Sequence, residues 1–350
     1  MTQLRARSRV IRHMHWPLGR KLGVCLADAA KSAAIVLLAV MLSLPAFGAA
    51  ADDHARALIA AGRADEAIQM LNSVVQGSPN DAEAYHLLSR VQYALENWDN
   101  AVNAAQRAVA AAPDSSDYHL WLGRAYGMKA EHSGWFTALK YARKTRAEFE
   151  KAVALDNANV QAHSDLAEYY MEAPGFLGGG DDKARLEAEK LAAYNTSAAH
   201  WVKAQLAEKD KKIQEAEQEY KAAIAESNNP GAAWLEIAAF YRRTNRPRDM
   251  ENAIQKAINS DKRRGNVLYE AARIMMRAGR NFPDAAQLLR RYLSSRNLDE
   301  EVPAFQAHYL LGQILEKQGD KKGAATEYRA ALSMARDYQL AQNALKRVER

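Results

Sequence analysis

Thiols are almost absent from this chain: its 350 residues contain one cysteine, Cys25. That residue lies ahead of the main apolar run, so removal of the leader would leave no thiol at all. Disulfides, thiolate metal ligands and cysteine nucleophiles would then be excluded. About 300 residues without cross-links must be held by their core alone, which this size permits. A surplus of positive charge is also missing from most of the chain. The formal charge is +6, but residues 1–50 carry Arg5, Arg7, Arg9, Arg12, Arg20, Lys21 and Lys31 against Asp28, which is 7 − 1 = +6. The remainder has 48 − 7 = 41 bases and 42 − 1 = 41 acids. With no net charge, residues 51–350 lack the long-range attraction on which binding to nucleic acid or anionic lipid depends. No nucleic-acid partner is expected.

Long apolar runs are equally scarce. The run Ala33 to Leu44 is about a dozen residues, short of the roughly 20 that span a bilayer as a helix. A basic stretch, Arg5 to Lys31, precedes it; Pro45 breaks it; Gly48-Ala-Ala-Ala51 follows, ahead of Asp52. Basic, apolar and small-residue segments in that order form a secretory signal. Residues 1–50 are therefore expected to be a signal peptide cleaved within 49–52, placing the chain in the periplasm. The alternative is an inner-membrane anchor through residues 33–47, the one membrane contact expected. The leader has no adjacent arginine pair, and no cysteine follows the apolar run to accept a lipid.

What the chain does have is a repeat. Ala67, Leu71, Val74 and Pro79 recur 34 residues later as Ala101, Ala105, Ala108 and Pro113. A small residue, a larger one four on and a small one three further line one helix face. The triplet returns as Thr145/Phe149/Ala152, Ala184/Ala188/Leu191, Ala216/Tyr220/Ala223, Met250/Ile254/Ala257, Ala285/Leu289/Tyr292 and Ala324/Tyr328/Ala331. First members are 34, 44, 39, 32, 34, 35 and 39 residues apart, that is, near 34 with insertions. A partner helix precedes each triplet, as in Tyr118-His-Leu-Trp-Leu-Gly123 and His308-Tyr-Leu-Leu-Gly312. In these residues the chain resembles the tetratricopeptide repeat family. The resemblance implies an all-α, right-handed solenoid of stacked antiparallel helix pairs, about eight units over residues 51–350. Insertions are expected near 127–144 and 173–182. The phrase Ala173-Pro-Gly-Phe-Leu-Gly-Gly-Gly180 further resembles a subset of bacterial tetratricopeptide proteins with an Ala-Pro-Gly and glycine run at this place. The helix starting near Lys183 is expected to be capped by Asp181 or Asp182.

Residues that could carry chemistry do not assemble into a catalytic pattern. The glycines before Lys183 lack the spacing, the preceding strand and the following hydroxyl of a phosphate loop. His119, His163, His200 and His308 fall at equivalent places, so stacking sets them one repeat apart rather than round one ion. They are expected to pack where the family has an aromatic. Trp135, Phe136 and Tyr141 are interleaved with Lys140, Arg143 and Lys144; this insertion is expected to lengthen its helices and dock its aromatics. No catalytic, cofactor or metal residues are proposed. The resemblance implies a non-enzymatic scaffold that binds protein along the concave wall made by first helices. Inner-facing candidates there are His86, Arg90, Tyr93, Leu120, Arg124, Asp165, Glu168, Glu172, Trp201, Tyr309, Gln313 and Glu316, with Trp135 on the insertion. The alternative is an accessory protein holding a glycan or lipid through Trp135 and Phe136.

Overall fold

The computed structural model describes residues 51–260, 266–295 and 298–350. The chain divides into two units, Met1–Asp53 and His54–Arg350. The first is almost wholly outside the described residues, and with it the expected signal peptide. The second is a helical-repeat superhelix. Among the described residues there is no strand; one isolated bridge joins Asp299 and Val302.

Helix α1 covers residues 51–60 and is followed by α2 (Ala64–Gly77), α3 (Ala82–Ala94), α4 (Trp98–Ala111), α5 (Ser116–Glu131) and α6 (Trp135–Leu155). Next come α7 (Val160–Glu172), α8 (Asp181–Leu191), α9 (Thr196–Lys209), α10 (Ile213–Ala225), α11 (Pro230–Arg243) and α12 (Pro247–Ser260). The series ends with α13 (Asn266–Arg277), α14 (Phe282–Leu293), α15 (Ala304–Lys317), α16 (Lys321–Met334) and α17 (Gln339–Val348). Odd-numbered helices are the first of each pair and even-numbered helices the second; α17 stands alone at the end.

The triplets in the second helices form the core. Every member is buried except Val74, which is half-buried. Large and small members meet across each pair. A Cβ on Gly123 would lie 2.5 Å from the Phe149 ring, and one on Gly312 would lie 2.4 Å from the Tyr328 ring. The glycine of each Leu-Gly pair is thus a slot for the aromatic of the following helix, which is why small and large residues alternate at these spacings.

The turn inside each pair is also built to one plan. Gly62, Glu96, Lys211, Asn245, Gly279 and Gly319 all have positive φ, between 54° and 85°. The amide after each bonds back five residues, for example Asn97 to the Gln92 carbonyl at 2.9 Å and Lys212 to the Ala207 carbonyl at 2.9 Å. This is the left-handed helix ending that satisfies the last carbonyls of a helix. Pairs α5–α6 and α7–α8 depart from it, and these are the pairs that contain the insertions.

The first insertion lengthens its helices as expected, α6 reaching 21 residues. Docking of its aromatics is only partly correct. Tyr141 packs on Tyr126 at 5.6 Å, but Trp135 and Phe136 are 65% and 86% exposed because they begin α6 beyond the reach of neighbouring pairs. The second insertion folds into a 3-10 turn, Gly175–Leu177, whose last carbonyl accepts from Arg146 Nη1 at 3.1 Å and the Tyr169 hydroxyl at 3.0 Å. Helix α8 starts at Asp181, not near Lys183, with Gly180 at the cap position and no side-chain cap. Asp181 and Asp182 lie in its first turn, where their charge favours the helix dipole.

The array returns on itself. Ala55, Leu58, Ile59, Leu71, Leu87 and Val91 share one apolar cluster with Phe305, Ala331, Tyr338 and Ala341. A Cβ on Gly62 would meet the backbone nitrogen of Phe305 at 2.7 Å. Gln306 Nε2 donates to the Ala94 carbonyl at 2.8 Å, and the Arg336 amide donates to Asp65 at 3.2 Å. The first and last repeats are therefore neighbours.

Candidate protein-binding groove

First helices bring a line of charged and aromatic side chains together. On α3 and α5, Trp121 lies between two guanidiniums, with Arg90 4.9 Å and Arg124 5.0 Å from its ring centre. Tyr93 meets Trp121 edge-on at 5.8 Å, and His86 does the same at 5.8 Å while stacking on Tyr118 at 5.0 Å. Burial in this aromatic nest, with the nearby charges of Arg90 and Arg56, lowers the His86 pKa to about 3 and keeps the ring neutral. Burial raises the Tyr93 hydroxyl to about 12.

The guanidiniums are held from two directions. Arg124 makes two bonds to Asp165 on α7, at 2.6 and 3.3 Å. Arg90, only 11% exposed, reaches across the closure to Glu300 at 3.0 Å, and Arg56 reaches the same carboxylate at 3.4 Å. Arg56 also pairs with Glu83, which accepts from the Tyr118 hydroxyl at 2.9 Å. A pocket of about 500 Å³ remains between these groups and the Asp299–Glu301 segment, walled also by Ser115, Asp117 and Gln161.

Further along the groove the sign reverses. Glu168 reaches water, yet the groove walls crowd it, and desolvation together with Glu172, Asp165 and Glu236 raises its carboxyl to about 7. Beyond it, Arg242, Arg243, Arg273 and Arg277 of α11 and α13 line a second cavity of about 390 Å³ with Glu236 and Glu270. The arginines of the inner face thus fall in two groups, each with acids among them, and Asp165, Glu168 and Glu172 of α7 lie on the helix between.

Of the residues singled out in the sequence, His86, Arg90, Tyr93, Arg124 and Asp165 are brought into one cluster, with Glu168 close enough to feel it. Trp135 stands apart on the projecting start of α6. Trp201 is half-buried and packs against two apolar clusters. Tyr309 rests on Tyr328 and Tyr338 at 5.8 and 5.3 Å and receives the Gln313 amide. Leu120 is 1% exposed, so it faces the core rather than the groove. Arg56, Trp121 and Glu300 were missed; an isolated tryptophan in Tyr118-His-Leu-Trp gave a signal, whereas Glu300 could not be linked to Arg90 across 210 positions.

The four equivalent histidines do pack, and each has a partner that was not foreseen. Nδ1 of His119, His163, His200 and His308 meets Glu148, Glu187, Glu219 and Glu327 at 2.6, 2.5, 2.6 and 2.7 Å. Each glutamate immediately precedes the middle member of its triplet. Among the described residues no group of three or more His, Cys, Asp or Glu is placed to hold a metal ion.

Residues 58–125 and 269–338 each match a tetratricopeptide repeat family model. The chain is a tetratricopeptide repeat protein. Among solved structures it is similar to a thermophilic tetratricopeptide repeat protein of Thermus thermophilus, at 19% identity over 54% of this chain and 97% of that one, with a TM-score of 0.44. It is also similar to a tetratricopeptide repeat protein of Parabacteroides merdae, at 15% identity over 77% and 99% of the two chains, with a TM-score of 0.39. No curated protein matches it in sequence. Repeats of this family generally mediate contacts between proteins and are generally not catalytic.

Proposed function

We propose that this chain is a non-enzymatic scaffold of the bacterial envelope that holds a protein partner along its inner face. The observation that carries the reading is the mixed charge of the groove: Arg56, Arg90 and Arg124 with Glu83 and Glu300, then Asp165, Glu168 and Glu236, then Arg242 and Arg277 with Glu270. A polypeptide can present side chains of alternating sign along such a face, whereas a glycan site would need a row of stacked exposed rings. Trp135 and Phe136 are two such rings at one tip, which leaves a lipid or glycan role as the second reading. The envelope location rests on the basic, apolar and small-residue order of the leader.

Partner capture is the test. Purified residues 51–350 would be used to pull down periplasmic proteins, comparing Glu168→Lys/Glu172→Lys with an outer-wall change such as Lys221→Ala. Loss of capture in the groove variant alone supports the reading. Loss in the outer-wall variant alone, or in Trp135→Ala/Phe136→Ala alone, overturns it. For export, intact mass of the periplasmic protein should place the N-terminus within 49–52; a full-length mass in the membrane fraction would favour the anchor.

A further inference from the structure

The closing contact of the array has an unusual chemistry. Segment Asp299–Glu301 carries three consecutive acids and lies against Arg56 and Arg90. Glu300 is its anchor, and the anchor is loosely held. It takes one nitrogen from Arg90 at 3.0 Å and one from Arg56 at 3.4 Å. By contrast, Asp165 takes two nitrogens of Arg124, one of them at 2.6 Å. Arg90 Nε is buried without any hydrogen-bond partner, so this guanidinium has donor capacity that Glu300 does not use. The carboxylates that α3 and α5 give to the wall are already engaged: Glu83 by Arg56 and Tyr118, Asp117 by Asn159. His86 contributes an aromatic surface without charge. About 500 Å³ beside Glu300 is left open.

We propose that the face of α3 and α5 around Arg90 and Trp121 is a docking site for an acidic peptide segment, and that Asp299–Glu301 occupies it as an internal stand-in. This rests on the reading of the groove as a protein-binding surface and names the chemistry of what enters it. The site offers guanidiniums for carboxylates and the Trp121 and His86 rings for the chain between them. A partner segment that gives Arg90 a two-point carboxylate satisfies the idle Nε donor. It also displaces Glu300, so binding and release of Asp299–Glu301 are coupled: each carries the cost or gain of the other. In the resting protein the apparent affinity is reduced by the fraction of molecules in which the site is vacant.

Fluorescence anisotropy with a labelled synthetic peptide reproducing residues 298–303 tests this on residues 51–350. The variant Glu300→Gln/Glu301→Gln should bind the peptide at least about tenfold more tightly than the unaltered chain. Adding Arg90→Gln to that variant should remove the gain, and raising the salt concentration should weaken it. A peptide with glutamine at all three acidic positions should not bind. Circular dichroism of each variant checks that the helices remain. Equal binding by the unaltered chain and the double variant would overturn the proposal and leave Glu300 a structural contact. So would a gain that survives Arg90→Gln. Preferential displacement of the peptide by a single-stranded RNA oligonucleotide would overturn the peptide assignment. The groove reading fails separately: it falls if Glu168→Lys/Glu172→Lys captures partners normally, whatever the peptide does.

Discussion

Glu168 shows how a groove changes a single residue. Its carboxyl is raised to about 7, so the folded protein prefers it protonated over a range in which the unfolded chain has already lost the proton. The stability this group contributes is complete below about pH 4.5 and declines as pH rises toward 7. Glu168→Gln should therefore melt above the unaltered protein at pH 8, with the difference closing by pH 5. A constant difference across that range would show that crowding by Glu172, Asp165 and Glu236 does not act on this carboxyl. The histidine–glutamate pairs differ among themselves by burial. His163 and Glu187 are 1% and 3% exposed, and the ring also faces the Asn157 carbonyl at 3.1 Å. Burial raises the Glu187 pKa, but bonds from His163 and Lys190 outweigh it and hold the carboxylate ionised. His163→Ala should cost about 2–3 kcal/mol in urea unfolding, since it strands a buried carboxylate that only Lys190 still meets. His200→Ala, at a pair whose side chains are about one quarter exposed, should cost less than about 1 kcal/mol.

Elements were more legible than residues. The triplet spacing locates every second helix, because a small residue that admits a neighbouring helix and a ring that fills the gap must recur once per pair. Leu-Gly pairs likewise marked first helices, whereas the slots they form for Phe149 and Tyr328 are seen only in the structure. The turns were less legible. Four intra-pair turns use glycine or asparagine at the left-handed position, but Glu96 and Lys211 take the same conformation with no sequence cue. A side chain there costs on the order of 1 kcal/mol against glycine. Lys211→Gly should consequently raise stability by about 0.5–1 kcal/mol in urea melts, even though glycine gains entropy when unfolded. A loss would mean that the lysine makes a compensating contact. Contacts between distant parts of the sequence were not legible at all. Nothing in a 34-residue period says that the last unit will meet the first, and the Arg90–Glu300 pair depends on that meeting.

At the scale of the molecule, a linear repeat array is stabilised only between neighbours, so its ends fray and its units can melt in sequence. Closure removes both free ends. The unaltered protein should unfold in one cooperative step by circular dichroism and by tryptophan fluorescence together. Gly62→Ala puts a side chain at φ 75° and within 3 Å of two backbone nitrogens at the start of α15. It should lower the melting temperature and separate the two probes, since the units on either side of the seam would no longer melt together. Coincident curves in that variant would mean that the seam contributes little.

The same seam decides what the protein does at high concentration. Two surfaces that fit each other head to tail make a closed body when the rotation brings them together in one particle and a growing filament when it does not. Here a single chain satisfies both surfaces by itself, as a ring of one subunit. In a molecule whose seam has opened, the face around Ile59 and the face around Phe305 are exposed as a matched pair. Each can then be answered by a second copy. Opening the seam is therefore also the step at which a monomer acquires a valence of two.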